Sequence, residues 1–230
     1  MLFHPDKCNV ISFSKKRTKI KYDYTLHGQT LLAVDSTKYL GLNFSEDLTW
    51  NAHIGKICAK ANRMLGFLKR NLKIENQNVK SVAYKSMVRP LLEYSSTVWH
   101  PHQANLTSQI ESVQNRAARW VTRQYDRESS VTAMKSKLEW PSLNLRRQQA
   151  RIILLYKIVN GLVLCPTSYF VFHRGGIYIN PIHARTDYYK YSFFPDTIYH
   201  WNTLPVQVIQ APSLDAFKGR LLKEHLSIHN

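Results

Sequence analysis

The chain has 230 residues and a formal net charge of +17 at pH 7, with a sequence pI near 9.9. Its hydrophobic fraction of 44% and aromatic fraction of 12% exclude an intrinsically disordered protein, because disordered chains contain few aromatic residues. The positive charge indicates an acidic partner that carries phosphate or forms an anionic surface, although a basic protein without such a partner has the same composition.

The cysteines and the apolar segments exclude further classes of protein. Three distant cysteines predict neither a disulfide framework nor a zinc site, and they favour a reducing intracellular compartment such as the nucleus or the cytoplasm. These are Cys8, Cys58 and Cys165. His100 and His102 have no cysteine nearby in the sequence, so no metal site is predicted. The most apolar window, Ile152 to Leu164, is shorter than the roughly 20 residues of a membrane span, and no membrane partner is expected.

Residues 1–49 are predicted to form short strands and one hairpin. Strand-forming residues occupy 8–14 and Ile20 to Leu26, a turn signal follows at His27-Gly28-Gln29, and two more strands are expected at Leu31 to Val34 and Tyr39 to Phe44. Between the first two strands lies a basic run without an acidic residue, which is a candidate nucleic-acid contact. Its members are Lys15, Lys16, Arg17, Lys19 and Lys21.

Residues 50–125 are predicted to form a helical domain. The first helix runs from Trp50 to about Asn71, and its apolar residues recur at helical spacing: Ile54, Ile57, Cys58, Ala61, Leu65 and Leu68. A row of basic residues occupies another face, and no acidic residue lies between the first and the last of them. This row consists of Lys56, Lys60, Arg63 and Arg70.

Two more helices are predicted in the same domain. Val79 to Val88 should be helical with Val82, Ala83 and Met87 facing inward, and Pro90 should bend or end that helix. The helix from Ala104 to Arg123 has an apolar face of Leu106, Ile110, Val113, Ala117 and Trp120, and a basic row of Arg116, Arg119 and Arg123.

The two basic rows are interpreted as a binding surface, although both could be solvated faces. Solvated helix faces usually mix Glu with Lys, yet Glu111 is the single acidic residue of the third helix. The rows could therefore form one groove for a nucleic-acid backbone.

Residues 126–230 are predicted to form a smaller helical region. One helix should start at Pro141-Ser142 and end at Asn160-Gly161, and a last helix should follow Pro212-Ser213. Between them, the aromatic residues from Tyr188 to Phe194 stand beside basic residues and could stack on bases. A packing role in the core is favoured for Phe193, Phe194 and Trp201.

Five blocks follow one another along the chain: FHPDKCNVI (3–11), KYLGLNFSEDLTWNAHIGKICAKANRMLGFLKR (38–70), VKSVAYKSMVRPLLEYSSTVW (79–99), IESVQNRAARW (110–120) and SFFPDTIYHWNTLP (192–205). Together they resemble the C-terminal part of reverse transcriptases from non-LTR retrotransposons, the LINE-type and jockey-like elements. The resemblance implies a palm remnant, a helical thumb and a helical C-terminal region. It also implies that a primer-grip hairpin lies near Lys38 to Leu42, and that RNA, DNA or an RNA–DNA hybrid is the partner.

Catalysis in that family needs a Tyr-x-Asp-Asp turn and a further aspartate, because carboxylates hold two Mg²⁺ ions for phosphoryl transfer. This chain has no Asp-Asp pair, and Glu46-Asp47 is interpreted as loop charge that precedes a helix. The resemblance implies that the aspartates and the Mg²⁺ belong to a palm domain upstream of Met1.

The chain itself is therefore expected to bind nucleic acid without polymerising it and without a cofactor of its own, and the palm domain of a longer polyprotein is a further expected partner. The alternative is a repurposed or pseudogene-derived module that binds another protein and has no nucleic-acid role. In either case the expected fold is mainly α, with a short β-hairpin region at the N-terminus.

Overall fold

The computed structural model describes residues 3–14, 18, 22–166 and 169–228, the last four of them by their backbone alone. The fold is mainly α-helical with small sheets near the N-terminus, which confirms the predicted fold class. A 3₁₀ turn at Pro5–Lys7 comes first. The strands are β1 (Asn9–Val10), β2 (Thr25–Leu26), β3 (Gln29–Thr30), β4 (Leu32–Ala33), β5 (Ser36–Tyr39) and β6 (Leu42–Ser45).

The helices follow β6 without another strand among the described residues. They are α1 (Asn51–Asn71), α2 (Gln77–Ala83), α3 (Arg89–Glu93), α4 (Ser96–Trp99), α5 (Ala104–Thr122), α6 (Val131–Lys137), α7 (Leu143–Val159), α8 (Asp187–Lys190), α9 (Phe193–Asn202), α10 (Val206–Ile209) and α11 (Leu214–Ile228). A π-helical turn at Tyr84–Val88 joins α2 to α3. No helix of the described residues is both long and apolar enough to span a membrane.

The described strands form three two-stranded sheets. β1 and β4 pair in parallel, whereas β2–β3 and β5–β6 are antiparallel hairpins. Each hairpin turns on two residues with positive φ, His27 and Gly28 in the first and Leu40 and Gly41 in the second, as two-residue hairpin loops commonly do. The prediction of a single strand from Tyr39 to Phe44 is therefore wrong, because the second turn divides it.

Helices α1 and α5 pack against each other through the faces that their periodicity predicts. The residues of these faces are at most 5% exposed: Ile54, Cys58, Ala61, Leu65 and Leu68 of α1, and Leu106, Ile110, Val113, Ala117 and Trp120 of α5. Leu42 of β6 joins the same core, which continues to Leu143. The hairpin β5–β6 is thereby anchored on the helical bundle through one of its own side chains.

The segment from α2 to α3 departs from the prediction. Val82 is 64% exposed and Met87 is 40% exposed, whereas Tyr84 and Val88 are fully buried. Tyr84, Val88 and Leu92 are buried at intervals of four residues, so they define the inward face of this segment. Val82 precedes Tyr84 by two residues, about 200° around the helix, and therefore lies on the opposite side. Pro90 was predicted to bend or end the helix; helical backbone continues through it, so the helix does not end there.

A buried polar network ties the π-helical turn to α5 and to the loop before α7. The Tyr84 hydroxyl donates to Gln114 Oε1 at 2.9 Å, and Gln114 Nε2 donates to the Pro141 carbonyl at 2.9 Å. Trp140 stacks on the Tyr84 ring with centroids 4.3 Å apart, and its indole nitrogen donates to Ser81 Oγ at 3.1 Å. Ser81 and Gln114 are polar residues, yet both are buried because each forms a hydrogen bond with a partner that would otherwise be unpaired.

Helix α7 contributes to two cores. Its first residue, Leu143, closes the core of α1 and α5, whereas Ile152, Leu155 and Tyr156 belong to a second core. Glu111 of α5 accepts hydrogen bonds from the first backbone amides of α7, those of Leu143 and Asn144. This carboxylate satisfies amides that a helix N-terminus leaves without a partner.

The second core lies between α7, α9, α10 and α11. Trp201 is 1% exposed, and Phe193 and Phe194 are partly buried against the same core. The packing role that the sequence analysis favoured for these three residues is confirmed. Tyr188 and Tyr189 of α8 remain exposed.

Candidate nucleic-acid interface

A groove of about 770 Å³ lies between the β5–β6 hairpin, α1 and the residues around α3. We call it the basic groove. The side chains around it are Lys38, Gly41, Asn43, His53, Lys56, Ile57, Ala59, Lys60, Arg63, Pro90, Leu91 and Tyr94. Its described lining therefore contains four permanently basic side chains and no aspartate or glutamate. The groove brings Lys38 of the predicted hairpin together with three members of the predicted α1 row.

The hairpin is held over the start of α1 by polar contacts through Asn43. The Asn43 backbone amide donates to His53 Nδ1 at 3.3 Å, and Lys56 Nζ donates to Asn43 Oδ1 at 2.9 Å. Because His53 Nδ1 accepts, the imidazole is neutral in this arrangement and its proton is on Nε2. Burial lowers the pKa of His53, and the charge of Lys56 lowers it further, so the neutral form persists near pH 7.

The hairpin turn is held from the other side by Tyr94. The Tyr94 hydroxyl donates to the Leu40 carbonyl at 3.2 Å. A Cβ atom at Gly41 would lie 3.0 Å from Tyr94 Cε1, so the ring leaves no room for a side chain there. With φ at +86°, Gly41 also has a backbone conformation that costs little only for glycine. One aromatic residue thus fixes the wall of the groove that carries Lys38.

The exposed face of α1 extends the basic groove along the helix. Lys56, Lys60 and Arg63 are all exposed, and Arg70 follows Arg63 two turns later on the same face. Phe67 lies between the two arginines and is 48% exposed. Sequence analysis did not single out Phe67, although its spacing of four residues from Arg63 and three from Arg70 was the available signal. An exposed aromatic ring between cations is a platform on which a base can stack.

The basic row of α5 does not line the basic groove. Arg116 donates to Asn62 Oδ1 at 2.9 Å, Arg119 donates to the Asp126 carbonyl at 3.3 Å, and Arg123 pairs with Glu75 at 2.7 Å. Asn62 lies about 100° or more around α1 from each of Lys56, Lys60 and Arg63, because successive helical residues are about 100° apart. The prediction that both rows form one groove is thus corrected, because α5 packs against a different side of α1.

Two further sequence predictions concern other parts of the chain. The basic run of Lys15, Lys16, Arg17, Lys19 and Lys21 lies outside the described residues. Asp47 accepts hydrogen bonds from Ser45 Oγ at 2.7 Å and from the Thr49 amide at 2.9 Å, and these bonds, the first above all, lower the pKa of its carboxyl. Its carboxylate thus organises the loop before α1. Among the described residues, no three His, Cys, Asp or Glu side chains are grouped so that they could hold a metal ion.

Comparison with known proteins adds no relative. No family model matches this sequence, and neither a curated protein nor a solved structure matches it.

Proposed function

We propose that this chain is the thumb and downstream part of a non-LTR retrotransposon reverse transcriptase, and that it holds the template–primer duplex in the basic groove. The observation that carries the proposal is the convergence of Lys38 with Lys56, Lys60 and Arg63. Lys38 comes from the hairpin for which the resemblance implies primer contact, and the other three come from the helix for which it implies a thumb.

The chemistry of the groove suits a phosphate backbone. Four cations face a common space whose described lining offers no carboxylate to neutralise them, so anions are the complementary partner. Tyr94 adds an aromatic edge, and Phe67 adds an exposed ring farther along α1. Lysine and arginine contacts to phosphates position a duplex without reading its sequence. The proposed binding is therefore tolerant of sequence and sensitive to salt.

Charge reversal of three groove residues tests the proposal. The variant Lys56→Glu/Lys60→Glu/Arg63→Glu should bind a short RNA–DNA hybrid at least about tenfold more weakly, as measured by fluorescence anisotropy. Log affinity against log salt should also become less steep by about 2.7, since each phosphate contact contributes a slope of about −0.9 on a duplex.

A matched control separates groove contacts from net charge. Arg127, Lys137 and Lys223 are exposed, lie outside the groove and can be changed to Glu together for the same change in net charge. This control should lose much less affinity than the groove variant. Equal losses in the two variants, or no loss in the groove variant, would contradict the proposed interface.

The proposal also assigns no polymerase activity to this chain by itself. The sequence has no Asp-Asp pair for the two-metal chemistry of the family. Purified protein with Mg²⁺, a primed template and nucleotides should therefore incorporate no nucleotide above a buffer control. Primer extension on a sequencing gel measures this, and extension by the chain would contradict the assignment.

One observation favours the alternative function of a protein-interaction module. Apolar side chains near the N-terminal sheets are exposed, among them Phe3 at 78% and Leu32 at 67%. Two-stranded sheets also leave strand edges to which another strand can pair. A complex of this kind, including one with a palm domain, would be stable at high salt. Binding through the basic groove, in contrast, should vanish at high salt, and this difference distinguishes the two functions.

A further inference from the structure

A second cluster of cations lies at the opposite end of α1. A cleft of about 370 Å³ is bounded by the end of α1, the segment before α2 and the end of α5. We call it the distal cleft. Its lining residues are Lys69, Leu72, Lys73, Ile74, Lys80, Trp120, Arg123 and Tyr125. Of these eight side chains, four are basic and two are aromatic.

The distal cleft is separate from the basic groove. Lys56 and Lys69 are thirteen residues apart on one helix, which corresponds to about 20 Å along its axis. Their directions around that axis also differ by about 140°. A ligand in the distal cleft therefore contacts a different set of residues.

Lys80 is the unusual member of the distal cleft. Its side chain is buried at 4% exposure, and its ammonium nitrogen lies 5.5 Å from the centroid of the Trp120 ring. No carboxylate of the described residues lies within ion-pair distance of this nitrogen. The ammonium group lines the cleft, and the aromatic ring compensates its charge only in part.

The charges of the distal cleft act on one another. Burial lowers the pKa of Lys80 and the charge of Arg123 lowers it further, whereas Glu75 opposes these effects. Burial and the charge of Arg116 lower the pKa of Lys69. Glu75, which does not line the cleft, is paired with Arg123 at 2.7 Å, and its side chain is largely exposed. Repulsion among the cations is therefore relieved only in part.

We propose that the distal cleft binds a phosphate group through Lys69, Lys73 and Lys80 and holds an attached base against the exposed ring of Tyr125. A phosphate supplies the anion that this cluster lacks, and Tyr125 is 60% exposed, as stacking on a base requires. The phosphate belongs either to a nucleic-acid strand or to a free nucleotide. This site does not depend on the basic groove and extends the protein's contacts to a second surface.

The test uses protein in which the basic groove has been disabled by Lys56→Glu/Lys60→Glu/Arg63→Glu, so that groove binding does not mask the cleft. Calorimetric titration with 5′-phosphorylated tetrathymidylate, thymidine 5′-monophosphate and inorganic phosphate then measures the distal cleft. Adding Lys80→Met, which keeps an apolar stem over Trp120, should weaken the bound probe at least about fivefold. The plot of log affinity against log salt for the strand should become less steep by about 0.7, because one phosphate contact is lost.

Two further variants keep the test decisive. Lys73→Glu changes an exposed residue outside any helix, so it tests the cleft even if Lys80→Met does not fold. Lys137→Glu and Lys137→Met, on exposed surface elsewhere, are the matched controls and should leave binding unchanged.

The outcomes assign the source of the phosphate. If tetrathymidylate is the probe that binds, and the cleft variants weaken its binding, the site belongs to a nucleic-acid strand. If the mononucleotide binds equally well, the site belongs to a free nucleotide. Cleft variants that bind every probe as the disabled parent does overturn the inference. Failure of the groove alone appears in the separate experiment with the hybrid duplex, so the two results are independent.

Discussion

The hydroxyl of Tyr94 donates to the carbonyl of Leu40 across a separation of 54 residues, with 3.2 Å between the oxygens. Tyr94 ends the helical segment after Pro90, and Leu40 is the first residue of the hairpin turn. The contact sets the distance between the hairpin that carries Lys38 and the helices that form the rest of the basic groove.

Removal of this hydroxyl should weaken nucleic-acid binding and lower stability by similar, small amounts. Tyr94→Phe keeps the ring against Gly41 but loses a hydrogen bond worth about 0.5–1.5 kcal/mol. We expect hybrid binding to weaken by about threefold, because the turn is less firmly positioned, and the melting temperature to fall by about 2–4 °C. Tyr199→Phe, which changes another exposed tyrosine, is the control. Anisotropy titrations that do not distinguish Tyr94→Phe from the parent would show that the turn does not contribute to binding.

Substitution of Gly41 should destabilise the second hairpin by two effects. Gly41→Ala places a side chain on backbone with positive φ, at a cost of about 1–2 kcal/mol, and brings Cβ to 3.0 Å from the Tyr94 ring. Gly28→Ala in the first hairpin imposes a similar φ of +79° with no atom within 4 Å of the new Cβ. Amide exchange should therefore accelerate more across 36–45 in Gly41→Ala than across 25–30 in Gly28→Ala. Similar increases in the two hairpins would leave no role for the ring contact.

Acidification should destabilise the protein through His100. Burial, followed by the charges of Arg151 and Arg147, lowers the pKa of His100 to about 3 from its usual 6.5. The folded state thus binds fewer protons than the unfolded state, so the stabilisation is complete above about pH 6.5 and is lost progressively as the pH falls toward 3. We expect a loss of about 2 kcal/mol in the free energy of unfolding between pH 7 and pH 5.

Variants identify the histidine responsible. His100→Gln should reduce the pH dependence measured by urea denaturation, and His183→Gln, which changes an exposed histidine, should retain it. The buried His53 contributes in the same direction, so some slope should remain in His100→Gln. An unchanged slope in that variant would rule out His100 as the source.

Replacing either of two buried arginines of α7 by methionine should change the free energy of unfolding, but in opposite directions. Arg147 is fully buried over the Trp99 ring, and its Nε and Nη1 have no hydrogen-bond partner among the described residues. Arg151 is paired with Asp196 at 3.3 Å and donates to Thr197 Oγ1 at 3.1 Å. Arg147 Nη2 donates to Asn144 Oδ1 at 3.5 Å, but no carboxylate of the described residues lies within ion-pair distance of Arg147. Replacing a buried charge that lacks an ion pair by an apolar side chain removes a desolvation cost, whereas removing one partner of a buried pair leaves the other unpaired.

We therefore expect Arg147→Met to leave the free energy of unfolding unchanged or to raise it by about 1–2 kcal/mol, and Arg151→Met to lower it by about 3–5 kcal/mol. Urea denaturation of both variants measures the difference, and each is the control for the other because the substitution and the helix are the same. Equal destabilisation would show that Asn144 and the Trp99 ring compensate the charge of Arg147 as fully as Asp196 compensates that of Arg151.

The helices were predictable from the sequence where periodicity is regular. Leu65 of α1 and Ile110 of α5 are buried because their neighbours at three and four residues share one face, and this signal is local. The buried face between Val82 and Val88 was not predictable, because apolar residues occupy both sides of this segment and periodicity alone does not choose between them. The position of Lys38 beside α1 depends on hydrogen bonds between residues far apart in the sequence. Tyr94 contacts Leu40 across 54 residues, and Asn43 contacts Lys56 across 13. The burial of Lys80 likewise depends on Trp120, forty residues later.

Helix α7 belongs to both cores and contains neither proline nor glycine between Leu143 and Val159. Sharp bends in helices almost always need one of these residues or a local defect in the hydrogen-bond ladder. A displacement of the C-terminal core is thus transmitted along the rigid helix α7 to Glu111, whose carboxylate accepts hydrogen bonds from the first backbone amides of α7. Force applied to one half of the molecule would reach the other without a flexible joint to absorb it.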